Sequence, residues 1–450
     1  MKSQILFFGD GGSETNPSRS EWGTFKDSLK APVHSWFTYP AGFSYKAVES
    51  SFRQHKIKKG DVVYDPFMGS GTTNLTAKKM GISSYGMEAH PFVFKVAECK
   101  MNWAVNTKEL IDFLKETENI FFTEKKKMQD NNNGYILKKE FPELILKCYE
   151  EKTLSDLLLI RNIIKNAKFT EAADRFYSVA LTALLRQVSI AATGWPYVAP
   201  KKLKSTSSSK DVWTEFRKQI NKMISDLDAA IAESGENFKK CWYKLYNHDA
   251  RNTVGIIADE SADHVFTSPP YLNNFDYADR TRLEMYFFGE AKTWGDISEN
   301  VRSKLMTSAT TQITRSDPRY LLSEDLRNAC PKVYEYLHES VEKLAGLRLT
   351  KGGKKSYDFL VAGYFNDIYS NIRDVFRILK RNKKAVYVLG DSAPYGVYIP
   401  TDRFIGEIAL GIGFSDYKME VLRERGGKWK KNPQRHDVML RESVVTLIKD

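Results

Sequence analysis

The stretch GDVVYDPFMGSGTTNLTAKKMGISSYGMEAHPF, residues 60–92, constrains the fold more tightly than any other part of the chain. A short apolar run, Val62 to Tyr64, enters a glycine-containing turn, and Thr73 to Met80 has helical character. A second short run, Ser84 to Met87, ends at Glu88. This is a β-α-β unit, and such units imply a parallel sheet with right-handed crossovers. Strand patterns return in WYKLYNHDAR (242–251) and SADHVFTSPPY (261–271). A helix, a basic turn and a buried strand follow in YFNDIYSNIRDVFRILKRNKKAVYVLGDS (364–392). The tail from Phe414 reads as two strands around a long basic hairpin loop.

Between these pieces the rhythm changes. From Thr107 to Lys240, three segments (153–167, 176–193 and 212–234) carry apolar residues at helical spacing. Residues 125–139 and 194–211 read as loops by composition. Residues 291–356 are polar and mixed, ending in a Gly/Lys loop. A chain of 450 residues exceeds one typical core. The expected organisation is an α/β, doubly wound sheet assembled from 1–106, 241–290 and 357–450. A helical insertion at 107–240 and a smaller variable region at 291–356 interrupt it.

Composition narrows the class. Hydrophobic residues make up 42% of the chain and aromatics 13%, ample for a packed core. No apolar run approaches the ~20 residues of a membrane span, and the N-terminal apolar stretch is too short for a signal peptide. The expectation is a soluble, cytoplasmic protein with no membrane partner. Cys99, Cys148, Cys241 and Cys330 are far apart and form no Cys-x-x-Cys pair, so neither a metal cluster nor a disulfide framework is expected. His90, His248 and His436 lack ligand spacing and are expected at the surface or in supporting positions. The net charge of +12, from 68 Lys and Arg against 56 Asp and Glu, favours a polyanionic partner.

Two short motifs carry the chemistry. In an α/β sheet, ligands sit beyond the carboxyl ends of the strands, and DPFMGSGTT (65–73) lies at such an end. Gly69 and Gly71 let the backbone turn sharply and approach a ligand closely, and Asp65 offers an acceptor to a ligand amine. A triphosphate-binding loop would carry Lys after its last glycine, where this chain has Thr72. Glu88, at the end of the next strand, suits the ribose hydroxyls of an adenosine-containing cofactor. The second motif, TSPPY (267–271), also follows an apolar strand. Consecutive prolines stiffen the chain and remove two donors, leaving carbonyl acceptors. Ser268 adds a hydroxyl acceptor and Tyr271 an aromatic face. Acceptors beside an aromatic suit a planar ring with an exocyclic amine, whose lone pair is delocalised. Drawing that nitrogen toward tetrahedral geometry stabilises the charge developing on it. A base held this way must first be flipped from a duplex and stacked, here on Tyr271.

With their flanks, DPFMGSGT and TSPPY resemble the motifs of S-adenosylmethionine-dependent, amino-methylating DNA methyltransferases, over about residues 35–106, 241–290 and 357–450. The resemblance implies a Rossmann-like methyltransferase sheet. It implies a cofactor site on Asp65, Phe67, Gly69, Gly71 and Thr72, ribose binding by Glu88, and Asp249 of NHDAR near the cofactor adenine. TYPAGFS (38–44) resembles the family's cofactor-lid motif, with Pro40 and Phe43 as candidates. Ser268, Pro269, Pro270 and Tyr271 then form the catalytic motif. Family members with Ser at its first position mostly methylate N4 of cytosine, and those with Asp or Asn mostly N6 of adenine, so Ser268 favours cytosine. Ring-carbon methylation is set aside because no Pro-Cys pair occurs; Cys330 precedes Pro331.

The implied activity is methylation of specific double-stranded DNA beside a cognate restriction endonuclease. The alternatives are an N6-adenine DNA methyltransferase, an RNA methyltransferase, and a non-catalytic DNA-binding regulator with a vestigial cofactor site. Three basic segments compete for DNA contact. One holds Lys201, Lys202, Lys204 and Lys210 beside Trp195 and Tyr197. A second holds Arg302, Arg315, Arg319 and Lys351 to Lys355, including Lys354. The third holds Arg423, Arg425, Lys428, Trp429, Lys430, Lys431 and Arg435. Asn273, Asp276 and Tyr277 are candidates for contact with the flipped base. The helical insertion falls between GMEAH and NHDAR, a departure from the family's commonest arrangement, in which recognition sequence separates the third and fourth strands.

Overall fold

The computed structural model describes residues 5–6, 21–39, 42–128, 133–192, 198–203, 210–351, 355–425 and 438–450. In chain order its strands are β1 (Ile5–Leu6), β2 (Val62–Asp65), β3 (Ser83–Met87), β4 (Ala191–Ala192), β5 (Ala199–Leu203), β6 (Tyr243–Tyr246), β7 (Ala262–Thr267), β8 (Leu379–Gly390), β9 (Asp416–Arg425) and β10 (Leu440–Lys449). The central sheet has the order β1-β9-β10-β8-β7-β2-β3-β6. Strands β6, β3, β2, β7 and β8 run parallel, while β10 is antiparallel to both β8 and β9.

Among the parallel strands β2 to β8 the winding direction reverses once. From β2 the chain moves outward through β3 to β6; from β7 it moves the other way to β8. The reversal falls between β2 and β7, which are direct neighbours, with Val63 opposite His264 and Tyr64 opposite Val265. Sheets of this kind bind ligands in the crevice at that switch point. Both motifs therefore leave adjacent strands at one edge of the sheet.

Side-chain alternation sorts the two faces of the sheet. Val63, Phe266, Val386 and Val388 pack on one face with Phe43 and with α1 (Tyr45–Gln54) and α2 (Thr72–Met80). Next comes α3 (Pro91–Met101), and then the helical layer. Its members are α4 (Thr107–Met128), α5 (Asn133–Glu140), α6 (Glu143–Leu146), α7 (Glu151–Asn166), α8 (Glu171–Val188) and α9 (Val212–Ser234). Thr170 and Asp211 cap α8 and α9 by accepting first-turn backbone N–H groups. Phe176, Ala180 and Leu184 of α8 share a core with Phe216, Ile220, Met223 and Leu227 of α9. After β7 come α10 (Tyr277–Arg280), α11 (Arg282–Phe288), α12 (Trp294–Ile297), α13 (Glu324–Ala329), α14 (Pro331–Thr350), α15 (Tyr357–Ile378) and α16 (Thr401–Ile412). The last three cover the other face, where Tyr64, Val265, Tyr387 and Leu389 point.

Four local readings differ from the sequence expectation. Helix α4 runs to Met128 and α5 begins at Asn133, inside a stretch read as loop. In the second loop-like stretch, β5 pairs antiparallel with β4, Ala192 facing Ala199; backbone pairing there needs no apolar alternation. Within the polar 291–356 region, α14 buries only Val333, Leu337, Ser340 and Leu344 against α15, too sparse a pattern to read against its charges. The basic turn after α15 is a bulge inside β8. Ala262 pairs with Leu379 but His264 with Lys384, and Asn382 takes φ 58.

The helical layer is fastened to the segment that follows TSPPY. Arg186 of α8 donates from Nε to Glu284 Oε1 at 2.6 Å and from a terminal nitrogen to Arg280 O at 2.5 Å. Glu284 is completely buried. His90, expected at the surface or in a supporting position, is buried, with Nε2 2.7 Å from Thr281 Oγ1. Arg186→Met strands a buried carboxylate and is expected to cost about 3–5 kcal/mol in urea unfolding. Adding Glu284→Leu should restore most of that loss.

Candidate active site

The chain turns as soon as β2 ends. Phe67 N donates to Asp65 Oδ1 at 3.0 Å, Met68 N to Met87 O at 3.0 Å and Gly71 N to Met68 O at 2.8 Å. Gly69 and Gly71 take φ 52 and 88, the left-handed region that strains other residues. A side chain at Gly69 would also meet the Tyr39 ring at 3.4 Å. The loop is thereby folded onto the end of β3, and α2 starts directly from it.

A cavity of about 780 Å³, open mouth included, lies over this edge. Phe67, Gly69 and Thr72 of the first motif line it, with Glu88 after β3, Asp249 after β6, and Ser268 and Pro270 after β7. Phe43 lines it as well, its ring centroid 5.5 Å from that of Phe266. Two distant motifs, Glu88 and Asp249 thus share one wall system. Pro40 lies outside the described residues. Asp65, Gly71, Pro269 and Tyr271 stand behind the wall. Sequence reasoning passed over Tyr39, Lys304, Leu305 and Met306, which also line the cavity. Tyr39 lay within the quoted TYPAGFS; the other three belong to no motif.

Asp65 is fully buried and is joined to the second motif by Thr267 Oγ1, which donates to Asp65 Oδ1 at 2.7 Å. Its Oδ2 has no partner. Burial pushes this carboxyl up to about 6, although the hydrogen bonds from Thr267 and Phe67 work against the shift. Burial likewise lifts Glu88 to about 7, opposed by the backbone N–H groups of His90 and Gly69. Asp249 is gripped by Arg251, with Nε 2.9 Å from Oδ2, and Arg251 also pairs with Asp367 at 2.8 Å. Behind the loop, Lys100 is buried without an acidic partner. Its Nζ meets His34 O at 3.0 Å, Ser70 Oγ at 3.3 Å and Phe37 O at 3.5 Å, and burial brings its pKa down to about 7.

The second motif is aimed by β8. Ser268 Oγ donates to Val388 O at 2.9 Å, which leaves its lone pairs as acceptors on a residue lining the cavity. Tyr271 departs from the stacking role expected of it. Its ring is nearly buried, its Oη donates to Glu442 Oε1 at 2.9 Å, and the Arg425 guanidinium lies 5.4 Å from its centroid. Asp276 is also not free for a base. It is buried, caps α10 through Ala278 N and Asp279 N, and binds Arg302 Nε at 2.7 Å. Tyr277 does line the cavity.

The basic segments divide. Arg302 is buried, Arg423 pairs with Glu442 at 2.6 Å, and Arg425 donates to Asp391 O at 2.7 Å, so these three serve the fold. Arg315 and Lys355 are exposed, Arg315 with Nε 2.9 Å from Ser356 Oγ. Lys201 and Lys202 sit in β5. Trp195, Tyr197, Lys204, Lys354 and Lys430 lie outside the described residues. No group of His, Cys, Asp and Glu suited to a metal ion occurs among the described residues, and no described helix is long and apolar enough to cross a membrane.

The residues present fit S-adenosylmethionine. The unpartnered Asp65 Oδ2 behind the glycine loop suits its charged end, and Glu88 suits paired hydroxyls. A carboxylate accepts two hydroxyl donors better than a carboxyl does, so cofactor affinity measured by calorimetry is expected to fall as pH drops through about 7. The limiting slope is about tenfold per pH unit, and Glu88→Gln should flatten the profile. Folding of the ligand-free protein responds in the opposite sense. A carboxyl raised from 4.5 to about 7 holds its proton more tightly when folded, so stability declines as pH rises through that interval.

Comparisons with known proteins agree with this geometry. The N6/N4 methyltransferase family model, described as a DNA methylase, matches residues 14–99. The type II methyltransferase M.BsoBI of Geobacillus stearothermophilus is 26% identical over 96% of this chain and 88% of its own length. M.AvaI of a Nostoc species is 22% identical over 89% and 82%, and M.MvaI of Kocuria varians 21% over 87% and 84%. Family model, relatives and cavity agree in making this chain similar to amino-methylating DNA methyltransferases.

Proposed function

We propose that the protein transfers a methyl group from S-adenosylmethionine to the N4 amine of cytosine in specific double-stranded DNA. In this reading it works in the cytoplasm and protects DNA from a cognate restriction endonuclease. The observation that carries the proposal is the shared cavity, in which Ser268 and Pro270 face the same space as Gly69 and Glu88. Bound there, the cofactor supplies an electrophilic methyl group. Phe67, Gly69 and Thr72 hold its amino-acid end, backed by Asp65 and Gly71, Glu88 holds its ribose, and Asp249 and Phe43 flank the rest.

Ser268 and the carbonyls of the proline pair accept hydrogen bonds from the target amine. This localises the nitrogen lone pair and stabilises positive charge as it develops. Ser268 is suited to the task because its own proton is directed to Val388 O. With Tyr271 buried, Tyr277 is the aromatic residue of this segment that borders the cavity and takes over contact with the flipped base. Residues 107–240 and 291–356 are assigned to reading the duplex, with Arg315 and Lys355 as exposed phosphate contacts.

Ser268 favours cytosine over adenine through its place in the family motif. Incubation with DNA and labelled cofactor, followed by mass spectrometry of the nucleosides, is expected to yield N4-methylcytosine. N6-methyladenine alone would replace cytosine by adenine as the target, and a wild-type protein inactive on all DNA would point to a binding regulator. Ser268→Ala is expected to lower turnover by roughly 10²–10³-fold, the usual effect of losing one charge-stabilising hydrogen bond, with cofactor affinity unchanged.

A further inference from the structure

Two buried charges of opposite sign flank the glycine loop, and neither has a partner of opposite sign among the described residues. Before the loop stands Asp65, completely buried, with Oδ2 unpartnered. Behind it stands Lys100 of α3, 1% exposed. Its ammonium is held by oxygens of uncharged groups alone, His34 O at 3.0 Å, Ser70 Oγ at 3.3 Å and Phe37 O at 3.5 Å. A buried ammonium without a carboxylate is unfavourable until a counter-charge arrives. Burial pushes Asp65 up to about 6 and Lys100 down to about 7, the direction in which each would lose its charge. Ser70 connects the lysine to the cavity. It lines the cavity, accepts from Lys100, and gives its own proton to no described residue. Helix α2 opens two residues later, at Thr72, with no acidic residue in its first turn, so its N-terminus adds positive potential on this side. Lys304 lines the cavity itself but is exposed, where water weakens its charge.

We propose that Lys100, acting through the Ser70 hydroxyl, is the counter-charge for the carboxylate of the cofactor's amino-acid end, as Asp65 is for its ammonium. The proposal rests on the placement of that end at the glycine loop, given above. An α-amino acid carries both charges on one carbon, so a single ligand group relieves both residues. Ser70 donates to the carboxylate while it accepts from Lys100, and a hydroxyl polarised by an ammonium is the stronger donor. Lys100 itself does not touch the cofactor and is a positioning residue. It also ties the chain at His34 and Phe37 to the loop, and the Phe37 ring stacks on Tyr39 of the cavity wall. A strap of that kind would serve every ligand of the cavity alike. A counter-charge serves only a ligand that carries a carboxylate.

Calorimetry on the full chain separates the two roles. It compares S-adenosylmethionine with its decarboxylated form, which keeps the ammonium and lacks the carboxylate, and with 5′-methylthioadenosine, which lacks the whole amino-acid end. The wild type is expected to prefer S-adenosylmethionine to the decarboxylated ligand by roughly 10–100-fold, the effect of one charge-assisted hydrogen bond. Lys100→Met should shrink that ratio to about twofold or less, and Lys100→Arg should keep most of it. Ser70→Ala, which removes one hydroxyl and leaves the ammonium in place, should also lose most of it and carries the test if Lys100→Met does not fold. Equal weakening of both ligands in Lys100→Met, with the ratio intact, would make the lysine a strap and overturn the counter-charge. A full ratio in Ser70→Ala, or a ratio lost in Lys304→Met instead, would do the same. A wild type that prefers S-adenosylmethionine to 5′-methylthioadenosine but not to the decarboxylated ligand would overturn the role of Lys100 while leaving the amino-acid end at the glycine loop. A wild type that binds all three alike would remove that placement and the proposal with it.

Discussion

Thr267 and Asp65 share a hydrogen bond that joins two stretches of chain about two hundred residues apart in sequence. It lies at the point where the sheet reverses its winding, is completely buried, and couples the last residue of β7 to the last residue of β2. The parallel pairing beneath it fixes which loops are neighbours. Everything the site does depends on that adjacency. The glycine loop and the Pro-Pro corner are each rigid, and each is useful only because the other leaves the sheet beside it.

The price of the arrangement is two carboxyls at the sheet edge, Asp65 completely buried and Glu88 half-buried on the cavity wall. Asp65 and Glu88 are both pushed upward by burial, and the hydrogen bonds they receive only partly compensate. The unpartnered Asp65 Oδ2 is unfavourable in the empty protein and becomes favourable when a ligand supplies a donor. Stability and affinity are therefore set against each other at these two residues.

Much of this was legible in the chain. The β-α-β rhythm around residues 62–88 produced the strand, helix and strand at nearly their observed limits, because alternation and glycine punctuation act locally. Glu88 and Ser268 are legible because each ends a strand or opens the loop after one, whereas Asp249 comes only from the resemblance of NHDAR to the family's third-strand motif; all three line the cavity. Tyr271 was misread because its motif says where the backbone goes and not which way a ring turns. Its hydroxyl is claimed by Glu442, far off in sequence, and no local pattern announces that. Asp276 and Arg302 failed for the same reason. Each looks like a surface charge until the other is brought beside it at 2.7 Å. Lys304, Leu305 and Met306 reach the cavity only through the tertiary path of a segment with no strong periodicity.

The buried grip of Arg186 on Glu284 has a mechanical side. Helix α8 belongs to the layer inserted before β6, whereas Glu284 belongs to the short helix just past the proline corner. The two elements are tied at that point, since the completely buried Glu284 carboxylate cannot lose Arg186 without being stranded in a non-aqueous interior. A load on the outer helices is thereby passed to the segment that opens immediately after the proline corner.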